Sequence, residues 1–219
     1  GLGDVYKRQT MARRTKEEAQ QTRETILMAA LDMFCDKGYS RTTFDEIAKK
    51  INLTKGAVYW HFRNKPDIIK ALIIEAFERN QAAINREISE VNTLDDLLRY
   101  FKYAAQIVKT APMFRKFLFF VMYQMEWSEG LFNTLNISGP INQIMNFHQE
   151  LIAKVLINSK ENGDISPETD IQTTTKILYA LWDGILHQAI SKNYTGDFPS
   201  LAEQSFQLIF KSLKTKKDN

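Results

Sequence analysis

Thr54-Lys55-Gly56-Ala57-Val58-Tyr59-Trp60-His61-Phe62, followed closely by Lys65-Pro66, decides the fold of this 219-residue chain. Thr54 is a helix-capping residue type. Val58 and Phe62 stand four apart on one face, which leaves Lys55, Gly56 and Tyr59 pointing the other way. Residues 43–51 form an amphipathic helix just upstream, with Phe44, Ile47, Ala48 and Ile51 turned inward. Thr43 caps it and Glu46 holds the capping-box position. Only Asn52-Leu53 separates the two. A short helix, a tight turn and a second helix with a basic and aromatic outer face read as a helix-turn-helix fitted to a DNA major groove.

Outward from this pair the pattern stays helical. Residues 22–37 carry Ile26, Leu27, Ala30, Leu31 and Phe34 on one face, and Gly38 stops them as a C′ glycine does. A polar, basic arm over residues 12–21 precedes that helix. Residues 1–10 fit none of the pattern, resemble read-through of a sequencing adapter, and read as a non-native leader before Met11. Downstream, Pro66 and Asp67 open a fourth helix that runs to about residue 90, long enough to act as a lever. Thr93 opens a fifth to about residue 110, and Pro112 a sixth through residue 125. A seventh is interrupted at Ser138-Gly139-Pro140, after which residues 141–159 are strongly periodic. Pro167 opens an eighth through about residue 191, and Pro199 a ninth. With no strand pattern the fold class is all-α, about nine helices. Its domains are a helix-turn-helix unit over residues 11–66 and a ligand-binding and dimerisation domain over residues 67–219.

The apolar fraction of 44% and charged fraction of 25% are those of an ordinary soluble protein. One cysteine, Cys35, excludes an internal disulfide and a thiolate zinc cage, and suits a reducing cytoplasm. The net charge of +3 is uneven: residues 11–66 are basic and residues 67–219 slightly acidic, which points to a polyanionic partner for the first part alone. The apolar run Phe117-Leu118-Phe119-Phe120-Val121-Met122-Tyr123 is too short for a bilayer, so no membrane partner is expected. The three histidines, His61, His148 and His187, lie at no metal-ligand spacing. No nucleophile–base, paired-carboxylate or glycine-rich phosphate motif stands out either. The chain is expected to be no enzyme, with no cofactor and no metal.

The residues Thr42-Thr43, Glu46-Ile47-Ala48, Thr54 to Phe62 and Lys65 closely resemble the TetR family of bacterial regulators over about residues 15–70. The opening Ala12-Arg13-Arg14-Thr15-Lys16-Glu17-Glu18-Ala19 with Thr22-Arg23 looks like the AcrR branch that represses multidrug efflux. From residue 71 the resemblance is one of architecture, with Trp182-Asp183-Gly184 in the eighth helix. It implies a homodimeric repressor that leaves a palindromic operator when a small hydrophobic effector enters the C-terminal core. The alternative within the family is a repressor or activator of lipid or catabolic genes. Outside it stand an enzyme on a helical scaffold and an interaction module working through residues 113–127.

On that resemblance Thr43, Tyr59, His61 and Lys65 match positions that clamp the DNA backbone, and Thr43 can be cap and clamp together. Base reading falls to Thr54, Lys55, Gly56 and Ala57: Lys55 reaches guanine N7 and O6, and the two small residues allow close approach to a thymine methyl. Trp60 belongs to the same exposed surface. Arg13, Arg14 and Lys16 either track phosphate or form a solvated tail. For the effector, Phe114, Phe117, Phe120, Tyr123 and Trp127 lie on the sixth helix, and Phe77, Phe101, Phe147 and Trp182 on its neighbours. Each reads as core or as the wall of an adaptable cavity. Glu126, Gln143, His148 and His187 are the polar groups among them. The last two helices are apolar on more than one face, so they either bury a second copy of the chain or pair internally.

Overall fold

The computed structural model describes residues 2–125, 130–131, 135, 140–191 and 194–214; for residues 2–14, 140, 141 and 145 it describes the backbone alone. Trp127 and Glu126, both expected near an effector, lie outside the described residues. The described part is all-α, with a lone antiparallel bridge between Ile165 and Lys214. In chain order the helices are α1 (Leu2–Lys37), α2 (Phe44–Lys50), α3 (Lys55–His61), α4 (Lys65–Glu87), α5 (Leu94–Thr110) and α6 (Pro112–Phe119). After a π-helical turn (Phe120–Gln124) come α7 (Pro140–Glu161), α8 (Ile171–Ile190) and α9 (Phe198–Leu213). They form two compact units. One holds residues 1–72 and 123–135, the other residues 73–122 and 136–219.

In the first unit, Ile26, Ala30, Leu31 and Phe34 of α1, Ile47 and Ala48 of α2, Val58 of α3 and Ile68 and Ile69 of α4 are all almost wholly buried, and α2 packs against both α1 and α3. α1 ends where Gly38, at φ +94°, turns the chain and returns its N–H to Phe34 O at 3.0 Å. At its start α1 differs from expectation. It runs unbroken from Leu2, because no Gly or Pro interrupts the chain between Asp4 and Lys37 and strong helix formers such as Arg, Lys, Glu, Gln and Ala dominate the stretch.

α2 opens with the reciprocal capping box read from the sequence: Thr43 Oγ1 accepts from Glu46 N, and the Glu46 carboxylate accepts from Thr43 N. It closes in a Schellman turn. Asn52 sits at φ +57° in the left-handed region, Leu53 N reaches Ala48 O at 2.9 Å, and Asn52 N reaches Lys49 O at 3.3 Å. Asn tolerates that backbone better than any residue but Gly, which is why two residues suffice to redirect the chain into α3.

In the second unit α5 packs along α9 and α7 along α8. Phe101, Trp182 and Phe206 meet at the centre of a core completed by Ile152, Val155, Leu156 and Leu178. α5 carries its own capping box, from Thr93 and Asp96. α8 begins at Ile171 rather than at Pro167. Asp170 is the residue whose carboxylate accepts from Thr173 N, and Pro167 lies in the loop before it. The sixth helix is shorter than its apolar run suggests: after Phe119 the backbone widens into the π turn, which leaves Tyr123 and Gln124 exposed.

Candidate nucleic-acid interface and apolar cavity

α3 is held from one side only. Val58 and the C-cap residue Phe62 are buried, whereas Tyr59 is 51% and Trp60 73% exposed. With Lys55 and Gly56, also exposed, these residues make one outward face at the i, i+1, i+4, i+5 spacing of a helix. Thr54 caps the helix by accepting from Ala57 N at 3.2 Å. Tyr59 is braced by the ring of Phe44 at 4.8 Å, and the Lys55 ammonium lies 5.9 Å from the Tyr59 ring centre. Ala57 is half-buried at the margin of this face. A Cβ on Gly56 would meet only Thr54 Oγ1, at 3.9 Å.

Beside Trp60 and His61 runs a groove whose other wall is α1, with Lys16, Gln20 and Arg23. The His61 imidazole is held below its ordinary pKa by partial burial and by the Arg23 charge, so it is neutral at pH 7. Thr43 is exposed at the head of α2. Hydrogen bonds from Lys37, then from Thr43, bring the Glu46 carboxyl down to about 2.

Lys65, expected to clamp the DNA backbone, also has partners within the protein. Its ammonium donates to Tyr39 O at 2.7 Å and Ser40 O at 3.0 Å, and lies 4.6 Å from the Tyr39 ring centre. The side chain is thus engaged in closing the turn between α1 and α2, because that turn leaves two carbonyls without helical partners. Thr42 Oγ1 closes the same turn from the other side, donating to Gly38 O at 2.9 Å. Lys65→Ala is therefore expected to lower the unfolding free energy of the first unit by about 1–2 kcal/mol without any DNA present. Urea denaturation measures this, and an unchanged midpoint would return Lys65 to a purely phosphate-clamping role.

The second unit holds a half-open apolar cavity of about 180 Å³. Of the aromatic residues expected to meet an effector, Phe77, Phe114, Phe117 and Trp182 line it. Phe101 and Phe120 do not: each is completely buried, Phe101 stacked on Phe206 with ring centres 4.4 Å apart. Phe147 packs behind the wall against Phe77 at 5.3 Å. Tyr123, carried outward by the π turn, is 48% exposed and falls in the first unit. Gln143 is exposed, and His187 is occupied by Asp183 O at 3.0 Å.

The wall also has a polar group that sequence reading only half found. Gln81 Nε2 donates to Tyr100 Oη at 3.1 Å, and Tyr100 Oη lies 3.2 Å from His148 Nε2. Burial brings the His148 pKa down to about 4, and burial raises that of Tyr100 against the opposing Gln81 hydrogen bond. Both are neutral at pH 7. Among the described residues no charged side chain lines the cavity, and no cluster of His, Cys, Asp or Glu could hold a metal. No described helix is long and apolar enough to cross a membrane.

Comparison with known proteins bears on the helix-turn-helix and on the overall fold. Residues 26–72 match the family model described as bacterial regulatory proteins, tetR family. The HTH-type transcriptional regulator SrpR of Pseudomonas putida is 28% identical over 207 residues, covering 92% of this chain and 91% of that protein. The HTH-type transcriptional regulator AcrR of Shigella flexneri is 50% identical over 62 residues, 28% of this chain and 29% of that one. Among solved structures, NalD of Pseudomonas aeruginosa, described as the secondary repressor of the MexAB-OprM multidrug efflux pump, superposes with a TM-score of 0.75 at 25% identity. That match covers 91% of this chain and 99% of NalD.

Proposed function

The chain belongs to the TetR/AcrR family of DNA-binding transcriptional regulators, and from that premise we propose that it represses a multidrug efflux operon and leaves its operator when a small hydrophobic effector fills the second unit. The observation that carries the reading is the one-sided burial of α3. Val58 and Phe62 fix the helix, while Lys55, Gly56, Tyr59 and Trp60 stand free to meet a groove. Lys55 supplies a donor to guanine, and Thr43, Tyr59 and His61 flank the groove as backbone contacts.

Two copies act together. Ile177 on α8 and Leu208 on α9 are large apolar side chains at 52% and 74% exposure. A second chain laid against these helices would bury them and pair two reading heads on a two-fold site. The effector enters the apolar cavity, whose wall includes Ile73, Phe77, Gln81 and Ile84. All four stand on α4 or face along it, and Lys65 at the start of that helix closes the α1–α2 turn. Filling the cavity displaces α4 and so favours a dimer that no longer meets both half-sites; an effector that bound both arrangements equally would release nothing. NalD's description as an efflux-pump repressor supports the choice of regulated operon.

The test is a footprint of the purified protein on the DNA upstream of its own gene, repeated with a panel of apolar efflux substrates. Two protected half-sites about one helical turn apart, or a multiple of it, and loss of protection with at least one compound are expected. Protection unaltered by every compound would refute the effector step. Absence of any protected site would refute the operator.

A further inference from the structure

Among the described residues the cavity is apolar except at Asn80, whose Nδ2 donates to Ala76 O at 2.6 Å, and where the Gln81–Tyr100–His148 chain meets the wall; the direction of the protons in that chain can be worked out. Gln81 Nε2 gives its proton to Tyr100 Oη. Tyr100 is 2% exposed, and among the described residues its hydroxyl has one remaining neighbour able to take a proton, the Nε2 of His148 at 3.2 Å. An Nε2 that accepts leaves the neutral ring protonated at Nδ1. The low pKa that burial gives His148 agrees with a ring that stays neutral. Among the described residues nothing accepts from Nδ1, although His148 lines the cavity.

We infer that the His148 Nδ1–H, set by Tyr100 and Gln81, is the polar anchor of this cavity, and that its ligand is a small uncharged aromatic molecule carrying a hydrogen-bond acceptor. The volume sets the smallest fitting size: an apolar cavity of about 150 Å³ takes benzene, so a half-open one of about 180 Å³ accommodates a ring with a small substituent. The absence of charge follows from the wall, since a cation or anion here would lose its water with no opposite charge among the described residues to replace it. The acceptor follows from the donor that His148 offers. This deepens the effector reading above and rests on it for its biological meaning, though not for its chemistry.

Three molecules of one shape test it with the full-length protein: acetophenone, α-methylstyrene (the same skeleton with no acceptor) and 1-phenylethylammonium. Calorimetric titration gives the affinity ratio of acetophenone to α-methylstyrene in the wild type and in His148→Phe, so that their different solubilities in water cancel. The ratio is expected to fall about fivefold in the variant; a ratio unchanged within about twofold overturns the anchor. The cation is expected to bind at least about tenfold more weakly than acetophenone, and tighter binding overturns the uncharged class.

Should His148→Phe fail to fold, the wild type still decides through long-range ¹H–¹⁵N spectra of the imidazoles. The His148 ring is expected as the Nδ1–H tautomer, its Nδ1 signal moving with acetophenone and not with α-methylstyrene. An Nε2–H tautomer overturns the proposal. Anchored binding of acetophenone that leaves the operator occupied at saturation would refute the effector function alone. Failure of both neutral molecules to bind would refute the anchor and the cavity's role together.

Discussion

Gly56→Glu is expected to abolish operator binding, by about a hundredfold or more, while leaving the protein at least as stable as the wild type. The two halves of that expectation come from different features of one position. Gly56 lies in the first turn of α3 with ordinary helical backbone, and a Cβ there meets only Thr54 Oγ1, at 3.9 Å. Any side chain removes the flexibility of glycine, which costs a helix about 0.5–1 kcal/mol relative to alanine. A carboxylate near a helix start is also favoured by the dipole. At the DNA the sign reverses. Gly56 shares its face with Lys55, Tyr59 and Trp60, and a longer acidic side chain both holds the helix off the base edges and repels phosphate. Gly56→Ala separates the causes, because it keeps the stability gain with little added bulk or charge. Denaturation midpoints and fluorescence anisotropy on operator and random DNA read both effects. Full operator affinity in Gly56→Glu would mean that α3 does not enter a groove.

The first unit was legible because its decisive features are local. Gly38 ending α1, the Thr43–Glu46 box, the two-residue hinge Asn52-Leu53 and the Val58–Phe62 spacing each involve residues within five of one another. The same locality explains what was missed there. Lys65 meets carbonyls 25 and 26 residues away, and no spacing rule reaches so far. In the second unit the helices were legible and their inner organisation was not. Phe101 and Phe114 are both large, apolar and on helices, but one is stacked in the core and the other lines a cavity. Hydrophobic periodicity asks only that a residue leave water, and both destinations satisfy it. Gln81, Tyr100 and His148 come from three helices, so their chain exists only after the unit has packed. Pro167 misled for a simpler reason: proline suits a loop before a helix as well as its first turn, and Asp170 had the better capping chemistry.

That ambiguity between core and cavity can be resolved by measurement, because the two environments respond oppositely to truncation. Phe101→Ala is expected to destabilise the second unit by about 3–5 kcal/mol, the cost of removing a fully buried aromatic side chain that its surroundings cannot replace. Phe101 is 0% exposed, stacks on Phe206 and lies 4.8 Å from Trp182 and 5.3 Å from Tyr100, so its loss undermines α5, α8 and α9 at once. Against a total stability of about 5–15 kcal/mol for a typical domain, that is about a fifth or more of the margin. Phe114→Ala should cost the fold less, since the ring is only half-buried and already borders empty space. Its effect should appear in ligand affinity, through lost contact on one wall of the cavity. Urea unfolding followed by far-ultraviolet circular dichroism, set beside acetophenone titrations of both variants, distinguishes them. Equal destabilisation by the two would place Phe114 in the core with Phe101, and a ligand would then have to find its wall elsewhere.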